Sequence, residues 1–492
     1  MSGSTPADVL DLTVDPADAL ALMGDSNRIV LDHFAGPGGW STGIADLLHD
    51  AGLVEVALEW DAAACLTRVA NGHTGTLRAD VAAYPVCPFL GRTVGYIGSP
   101  PCQTFSMAGG GAGREHMAAL CLEVRRILLG LTTYDEAMAR LKDEGALDDK
   151  DGNPDPRNGL ILIPARTIRA LLDHDGKGPT DLEWIALEQV PPAGPVFDAY
   201  AAALRELGFA VVAPVVNAAD YGVPQTRERK FVIASRVRRV TVPEPTHAKG
   251  GEDEGLFGPS RLPWPSMARA LGWGTPTLVG FPRRADAGDA ITIDGTAYRA
   301  RDLTPDTEPA QTVTEKGRSW QRFPADDVEL VHGSQPNVAR RTIAEPAATM
   351  AFGNDAAGFR FEGSPEALDA ILEERRAGSA KFDGHWTEER PATVVASREI
   401  VQHPGATKNR HNDSEKTRND GLRITEAEGA VLQGFPADYR WEGSSKGKRW
   451  EQIGNVVCPP VARRIVAELL GVEAAPLPWH EYAWDEALVP FG

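Results

Sequence analysis

The chain has 492 residues, enough for two or three domains, with 42% hydrophobic residues and no apolar run of membrane-spanning length. Its five cysteines are odd in number and lack paired spacing, which excludes a disulfide scaffold or a zinc site, and no metal is expected. The net charge of −19 counts against a polyanionic partner, although basic residues cluster around Arg227–Arg239, Lys408–Arg423 and Lys446–Arg449, so a basic cleft on an acidic body is compatible with it.

The start of the chain, Met1–Pro6, has no basic-then-apolar leader pattern, and a cytoplasmic location is expected. Residues 1–25 form an Asp-rich extension in which Ala17–Met23 reads as a short helix. Ile29–Phe34 reads as a strand running into Ala35-Gly36-Pro37-Gly38-Gly39, with Ser41 or Thr42 as the cap of a helix over Gly43–His49. A strand, a glycine turn and a helix start offer backbone N–H groups and a positive dipole end to a ligand. Val54–Leu58 makes a second strand ending in Glu59, twenty residues after Gly39, the distance at which a carboxylate reaches ribose hydroxyls. A third strand is expected to start near Asp80-Val81. Together these point to an adenosine-containing cofactor.

Thr93–Ile97 reads as a buried strand, stopped by Pro100-Pro101, so that Cys102 sits at the carboxyl end of a strand, where open α/β sheets place chemistry. By itself a lone cysteine there reads as a buried, inert thiol. Gly109–Arg114, with four glycines in five residues, is expected to move, either as a connector or as a lid. Leu141–Asn158 is charged and turn-rich and reads as a surface insertion, and Leu160–Leu172 as a helix despite Pro164. Trp184–Leu187 is a strand that delivers Glu188 at its end, before Pro191-Pro192. Phe197–Leu207 is an amphipathic helix, Phe209–Val216 a strand and Asn217–Pro224 a turn. Alternation puts Gln225, Arg227 and Arg229 on one strand face, which on its own reads as a solvated edge.

From about Thr241, Pro, Gly and Trp become frequent. Glu308–Val313 recurs as Glu345–Met350 and, shortened, as Arg390–Val394, with proline spacings of 37 and 45, too unequal for a solenoid. A small irregular β-rich domain is expected. Helix character returns at Thr425–Glu428, a capping-box pattern, and Ile453–Pro460 opens a helix over Val461–Leu470.

These residues resemble the DNA cytosine-5 methyltransferases. Phe34–Gly39 looks like the family's cofactor loop, Pro101–Ser106 like its nucleophile motif and Glu188-Gln189-Val190 like its Glu-Asn-Val motif. Gln225–Arg229 matches its Gln-x-Arg-x-Arg strand, and Gly454–Pro460 resembles its Gly-Asn-Ala-Val-Pro-Pro motif with an extra cysteine. The order matches as well, across residues 29–470. Three features depart from the pattern. Gln189 stands in place of Asn, 86 residues separate Cys102 from Glu188, and Arg390–Val394 is one residue short of the usual Arg-Pro-x-x-Thr-Val.

The resemblance implies an α/β fold: a Rossmann-like, S-adenosylmethionine-dependent methyltransferase domain with a doubly wound, mostly parallel sheet, plus a smaller irregular β-rich target-recognition domain. The expected layout is an N-terminal extension (1–25), the main catalytic part (26–245), target recognition (246–420), a return to the catalytic domain (421–472) and a tail (473–492). Cys102 is the expected nucleophile, because a thiolate added to C6 makes cytosine C5 able to attack an electrophilic methyl group. Glu188 is the expected acid at N3, Arg227 the expected partner of the base carbonyl, and Arg229 a contact to Glu188 or phosphate. S-Adenosyl-L-methionine is the expected cofactor. Its site would include Phe34, Ala35, Gly36, Gly38, Gly39, Pro100 and Asn455, with Glu59 on the ribose, Asp80 on the adenine amino group, and Phe34 and Trp60 around the ring. Double-stranded DNA is the expected partner, through Gln103, Ser106, Gly109, Arg114, Gln225, Arg318 and Trp320, with the target base flipped out of the helix. A monomeric bacterial or phage-encoded protein is expected, with a cognate restriction endonuclease as a further partner. A tRNA cytosine-5 methyltransferase and a catalytically silent DNA binder on the same fold are the competing readings, and intact Cys102, Glu188, Arg227 and Glu59 argue against the silent binder. A NAD-dependent dehydrogenase shares the glycine turn but gives no reason for the Cys102 and Glu188 loops.

Overall fold

A computed structural model describes residues 11–101, 116–148, 156–177, 181–251, 261–271, 309–313 and 425–479, together with short strands between 277 and 423. The main sheet is built from β1 (Ile29–His33), β2 (Val54–Glu59), β3 (Thr76–Arg78), β4 (Thr93–Gly98), β5 (Trp184–Gln189), β6 (Ala210–Val212), β7 (Val215–Asn217) and β9 (Glu228–Ser235), with β8 (Gln225–Thr226) lying outside it. Its order is β3-β2-β1-β4-β5-β9-β6, with β7 also paired to β9. Strands β1 to β5 are parallel, while β9 runs antiparallel to β5. The strand order reverses between β1 and β4, so their carboxyl ends form a switch-point crevice. The glycine loop leaves β1 and the Pro100-Pro101 loop leaves β4, which puts both in that crevice.

The central strands are buried on both sides, as a parallel sheet between helices demands. One face packs its Leu31, Val56 and Tyr96 under α1 (Pro16–Met23), α4 (Met117–Leu128), α6 (Ile163–Leu172) and α7 (Gly194–Glu206). The other packs Val30, Ile97, Trp184 and Phe231 under α2 (Gly39–Asp50) and the late helix Pro459–Leu470. Helix α3 (Ala62–Ala70) follows β2, and α5 (Tyr134–Asp143) lies between α4 and α6. Among the described residues no helix is long and apolar enough to cross a membrane.

Several elements differ from expectation. Helix α2 starts at Gly39, not Gly43, and its N-cap is Gly38 in a left-handed conformation (φ 105°), with no side-chain cap from Ser41 or Thr42. Strand β3 precedes Asp80 instead of starting there. Glu188 and Gln189 belong to β5 itself. The expected strand Phe209–Val216 is split into β6 and β7, because Pro214 lacks the N–H a continuous ladder needs. Helix α6 accommodates Pro164 in its first turn, where the missing N–H is no loss.

Beyond β9, two antiparallel four-stranded sheets are described. One joins Leu303–Pro305, Thr277–Gly280, Gln321–Pro324 and Leu422–Arg423; the other joins Thr296–Arg299, Ala290–Ile293, Val328–Val331 and Arg340–Thr342. The repeats Glu345–Met350 and Arg390–Val394 lie outside the described residues.

Candidate active site

The glycine loop is shaped by close approach from the far end of the chain. A side chain at Gly39 would meet the Val457 carbonyl oxygen at 2.2 Å, and one at Gly38 would meet the Tyr439 hydroxyl at 2.8 Å, besides the strain of its positive φ. The Tyr439 hydroxyl donates to the Pro37 carbonyl at 2.6 Å. Phe34 enters the loop at φ 61°, an uncommon conformation for an aromatic residue. Beneath the loop the buried Arg68 guanidinium donates to the Ala35 carbonyl (3.3 Å), the Thr76 hydroxyl (2.9 Å) and Glu55 (3.4 Å). Asp32, fully buried beside this group, has its carboxyl pushed well above the usual range by burial and by Glu55, with Arg68 opposing.

Glu59 closes β2 and accepts from the Gly36 N–H (2.8 Å) and the Asp61 N–H (2.7 Å). Burial raises its pKa and these two N–H groups lower it. Each carboxylate oxygen keeps a lone pair for a further donor. Asp80 holds the Ala82 N–H at 2.9 Å. Trp60 is 57% exposed, a large apolar ring more than half open to solvent.

Glu188 sits on β5 with Arg229 Nε 3.1 Å from its carboxylate, both side chains largely buried. Burial raises its pKa, and Arg229 and then Arg227 pull it back. Arg227 is committed elsewhere: its guanidinium donates to the carbonyls of Val313 (3.0 Å), Gly454 (3.0 Å) and Val456 (2.9 Å). The expected solvated edge is therefore a buried strut. Gln225, expected on DNA, is also fully buried, its amide donating to the Leu432 carbonyl and Gln433 and accepting from the Val313 N–H, so it braces the interior. Gln189 donates to the Pro100 carbonyl at 3.0 Å and accepts from the Val190 N–H at 2.8 Å. The residue that departs from the family pattern thus holds the loop that precedes Cys102.

One cavity of about 670 Å³ joins these parts, within the usual size range of small-molecule sites. Phe34, Ala35, Gly36, Gly39, Glu59, Trp60 and Asp80 line one part of it. Pro100, Glu188, Arg227, Arg229 and Asn455 line the rest. Gly38 shapes the loop from behind. Cys102, Gln103, Ser106, Gly109, Arg114, Arg318 and Trp320 lie outside the described residues. The sequence reading missed Tyr134, Met138, Arg157 and Leu160, which also line the cavity. A signal for the first pair existed: Thr133 and Glu136 form a capping box that starts α5. Apolar walls with two carboxylates at one end suit a purine nucleoside, so the residues present fit the expected cofactor.

The family model for C-5 cytosine-specific DNA methylases matches residues 190–255 and 311–471. The match covers a little under half of the chain and, with the curated relatives below, supports the C5 cytosine methyltransferase family. The chain's enzyme class is that of a DNA cytosine methyltransferase. The methylase is 29% identical over 260 residues to the Type II methyltransferase M.AquIA of Picosynechococcus, covering 48% of this chain and 85% of the relative. It is 25% identical over 285 residues to M.SacI of Streptomyces achromogenes, covering 53% of this chain and 60% of that one. Against M.AplI of Arthrospira platensis the identity is 29%, over 42% of this chain and 46% of the relative. Among solved structures, the methylase overlaps the Entamoeba histolytica methyltransferase EhMeth with a TM-score of 0.44 at 12% identity, over 90% of this chain and 98% of that one. The S. pombe Dnmt2 methyltransferase gives 0.44 at 13% identity, with the same coverage. Likenesses this slight carry no argument.

Proposed function

We propose that the protein methylates C5 of a flipped-out cytosine in a short specific sequence of double-stranded DNA, through a covalent bond between Cys102 and C6. S-Adenosylmethionine, when bound, supplies the electrophilic methyl group. The observation that carries this reading is the continuity of one cavity from Glu59 and Asp80 to Glu188 and Arg229, with Pro100-Pro101 in its wall immediately before Cys102.

Glu59 takes the ribose hydroxyls, Asp80 the adenine amino group, and Phe34 and Trp60 the faces of the ring. Glu188, with its pKa raised by burial, holds a proton for N3 as the thiolate adds to C6, which spares the ring a full negative charge. Arg229, not Arg227, steadies the base carbonyl, because Arg227 is committed to three backbone carbonyls while Arg229 lies on the Glu188 carboxylate. Gln189 fixes the Pro100 peptide and so the direction in which Cys102 leaves the strand. Withdrawal of the C5 proton then allows the Cys102–C6 bond to break. Sequence choice is assigned to residues 246–420, and a cognate restriction endonuclease is the natural partner of such an activity.

The test is base-resolution mapping of 5-methylcytosine on plasmid DNA from cells expressing the protein, beside Cys102→Ser. The expected result is methylation confined to one short motif and absent from the variant. Methylation of tRNA and not DNA, or methylation that survives Cys102→Ser, refutes the proposal.

A further inference from the structure

The stretch between the Cys102 loop and Glu188 carries three helices, α4, α5 and α6. Helix α5 is not a surface appendage. Its Ala137 and Leu141, one turn apart, are fully buried against the body. Glu123 of α4, 3% exposed, receives Arg140 of α5 through two bonds of 3.0 and 2.6 Å and Arg126 at 3.1 Å. The Thr133 capping box fixes the other end. The i, i+4 pair Tyr134 and Met138 borders that buried face, and both side chains line the cavity described above.

Each of the pair is tied to a different piece of the cavity wall. Arg166 lies over the Tyr134 ring, 5.2 Å from its centre, and the same guanidinium donates to the carbonyls of Ala82 (2.7 Å) and Val81 (2.5 Å), directly after Asp80. Met138 packs on Gly159, where an added Cβ would lie 2.5 Å from the Met138 methyl, next to Leu160 in the cavity wall. Tyr134 and Met138 thus bridge the Asp80–Ala82 segment and the Gly159–Leu160 segment.

We propose that Tyr134 and Met138 of helix α5 are cofactor-binding residues that wall off the Asp80 end of the cavity and make it selective against bulk on the amino edge of the adenine. This rests on the reading of the cavity as a site for S-adenosylmethionine. Glu123, Arg140 and the buried face of α5 keep the wall rigid, so a larger nucleoside edge meets side chains that cannot withdraw.

Calorimetric titration of the full chain with S-adenosylhomocysteine and with its N6-benzyl analogue tests this without relying on turnover. The wild type should bind the parent compound and bind the N6-benzyl analogue at least about tenfold more weakly. Tyr134→Ala and Met138→Ala should each weaken the parent by about three- to tenfold, the range expected for losing part of a buried apolar contact, and should narrow the gap to the analogue. Tyr134→Phe, which keeps the ring under Arg166, should behave as the wild type. Wild-type protein that binds both compounds equally refutes the wall whether or not the variants fold. Variants that keep the wild-type melting temperature and bind the parent within twofold refute it too. Failure of the wild type to bind S-adenosylhomocysteine overturns the cofactor reading itself, and this inference with it.

Discussion

Arg229→Met tests the electrostatics of the base-binding end of the cavity. Arg229 and Glu188 meet at 3.1 Å with side chains 15% and 11% exposed, so little solvent remains to take over if the cation is lost. Breaking a buried pair by removing one partner costs about 3–5 kcal/mol, because the other charge is left uncompensated. The lower figure equals about two pKa units at roughly 1.4 kcal/mol each. Burial already raises the Glu188 pKa against the pull of Arg229, and the substitution raises it further. A carboxyl whose folded-state pKa lies above its unfolded value contributes stability that is fully present below the unfolded pKa and is lost as pH rises through the folded one. The variant should therefore lose about 3 kcal/mol relative to wild type at about pH 8.5 and less than about 1 kcal/mol at about pH 5. Urea denaturation followed by fluorescence at both pH values measures this, with m-values checked for constancy. Glu188→Gln added to Arg229→Met should restore most of the loss at the higher pH, since no charge is then buried. Equal losses at both pH values, or no rescue by the second substitution, refute the reasoning.

Gln189→Ala removes the donor to the Pro100 carbonyl; it should cost about 1 kcal/mol of stability and lower kcat about ten- to a hundredfold while S-adenosylhomocysteine affinity stays within twofold, measured by steady-state methylation beside calorimetry. An equal loss of affinity would place its effect on the cofactor end instead. Asp32→Asn replaces a buried carboxyl with a raised pKa by a neutral isostere. It should match wild-type stability below about pH 4 and gain on it by about 1.4 kcal/mol per pH unit above that, until the wild-type carboxyl ionises in the folded state, as read from urea midpoints. Gly39→Ala drives a Cβ to 2.2 Å from the Val457 carbonyl, whereas Gly36→Ala meets nothing within 4 Å and faces only its positive φ of 56°. Thermal unfolding should show a loss of about 3 kcal/mol or more for the first and about 1 kcal/mol for the second.

The parts of the site that are local in sequence were legible in it. A β-branched run followed by a glycine turn, and a buried strand stopped by Pro100-Pro101, are patterns of adjacent residues, and they set the two carboxyl ends that open the crevice. What the sequence hid was set by distant partners. Helix α2 begins early because Gly38, just before it, adopts a left-handed cap and the Val457 carbonyl, from the far end of the chain, comes close to Gly39. The alternation of Gln225, Arg227 and Arg229 was visible, but the burial of Gln225 and Arg227 depends on Val313, Leu432, Gly454 and Val456, up to 229 residues away in the longest of these bonds. Charge is a poor guide to exposure where backbone carbonyls converge, since a guanidinium that meets three of them is solvated by the protein.

The same reasoning explains α5. Leu141–Asn158 has the composition of a solvated surface, yet Leu141 at its start is buried on α5, where Glu123 and Arg140 satisfy each other and leave Ala137 and Leu141 free to pack inward. Once that face is buried, the helical period fixes where the rest must go. Met138, one residue past Ala137, is turned by about 100° from it, and Tyr134, three residues before Ala137, by about 60°, so both flank the buried face and line the cavity. A helix anchored by an internal ion pair therefore adds a wall to the site at the position where an unanchored one would have added only surface.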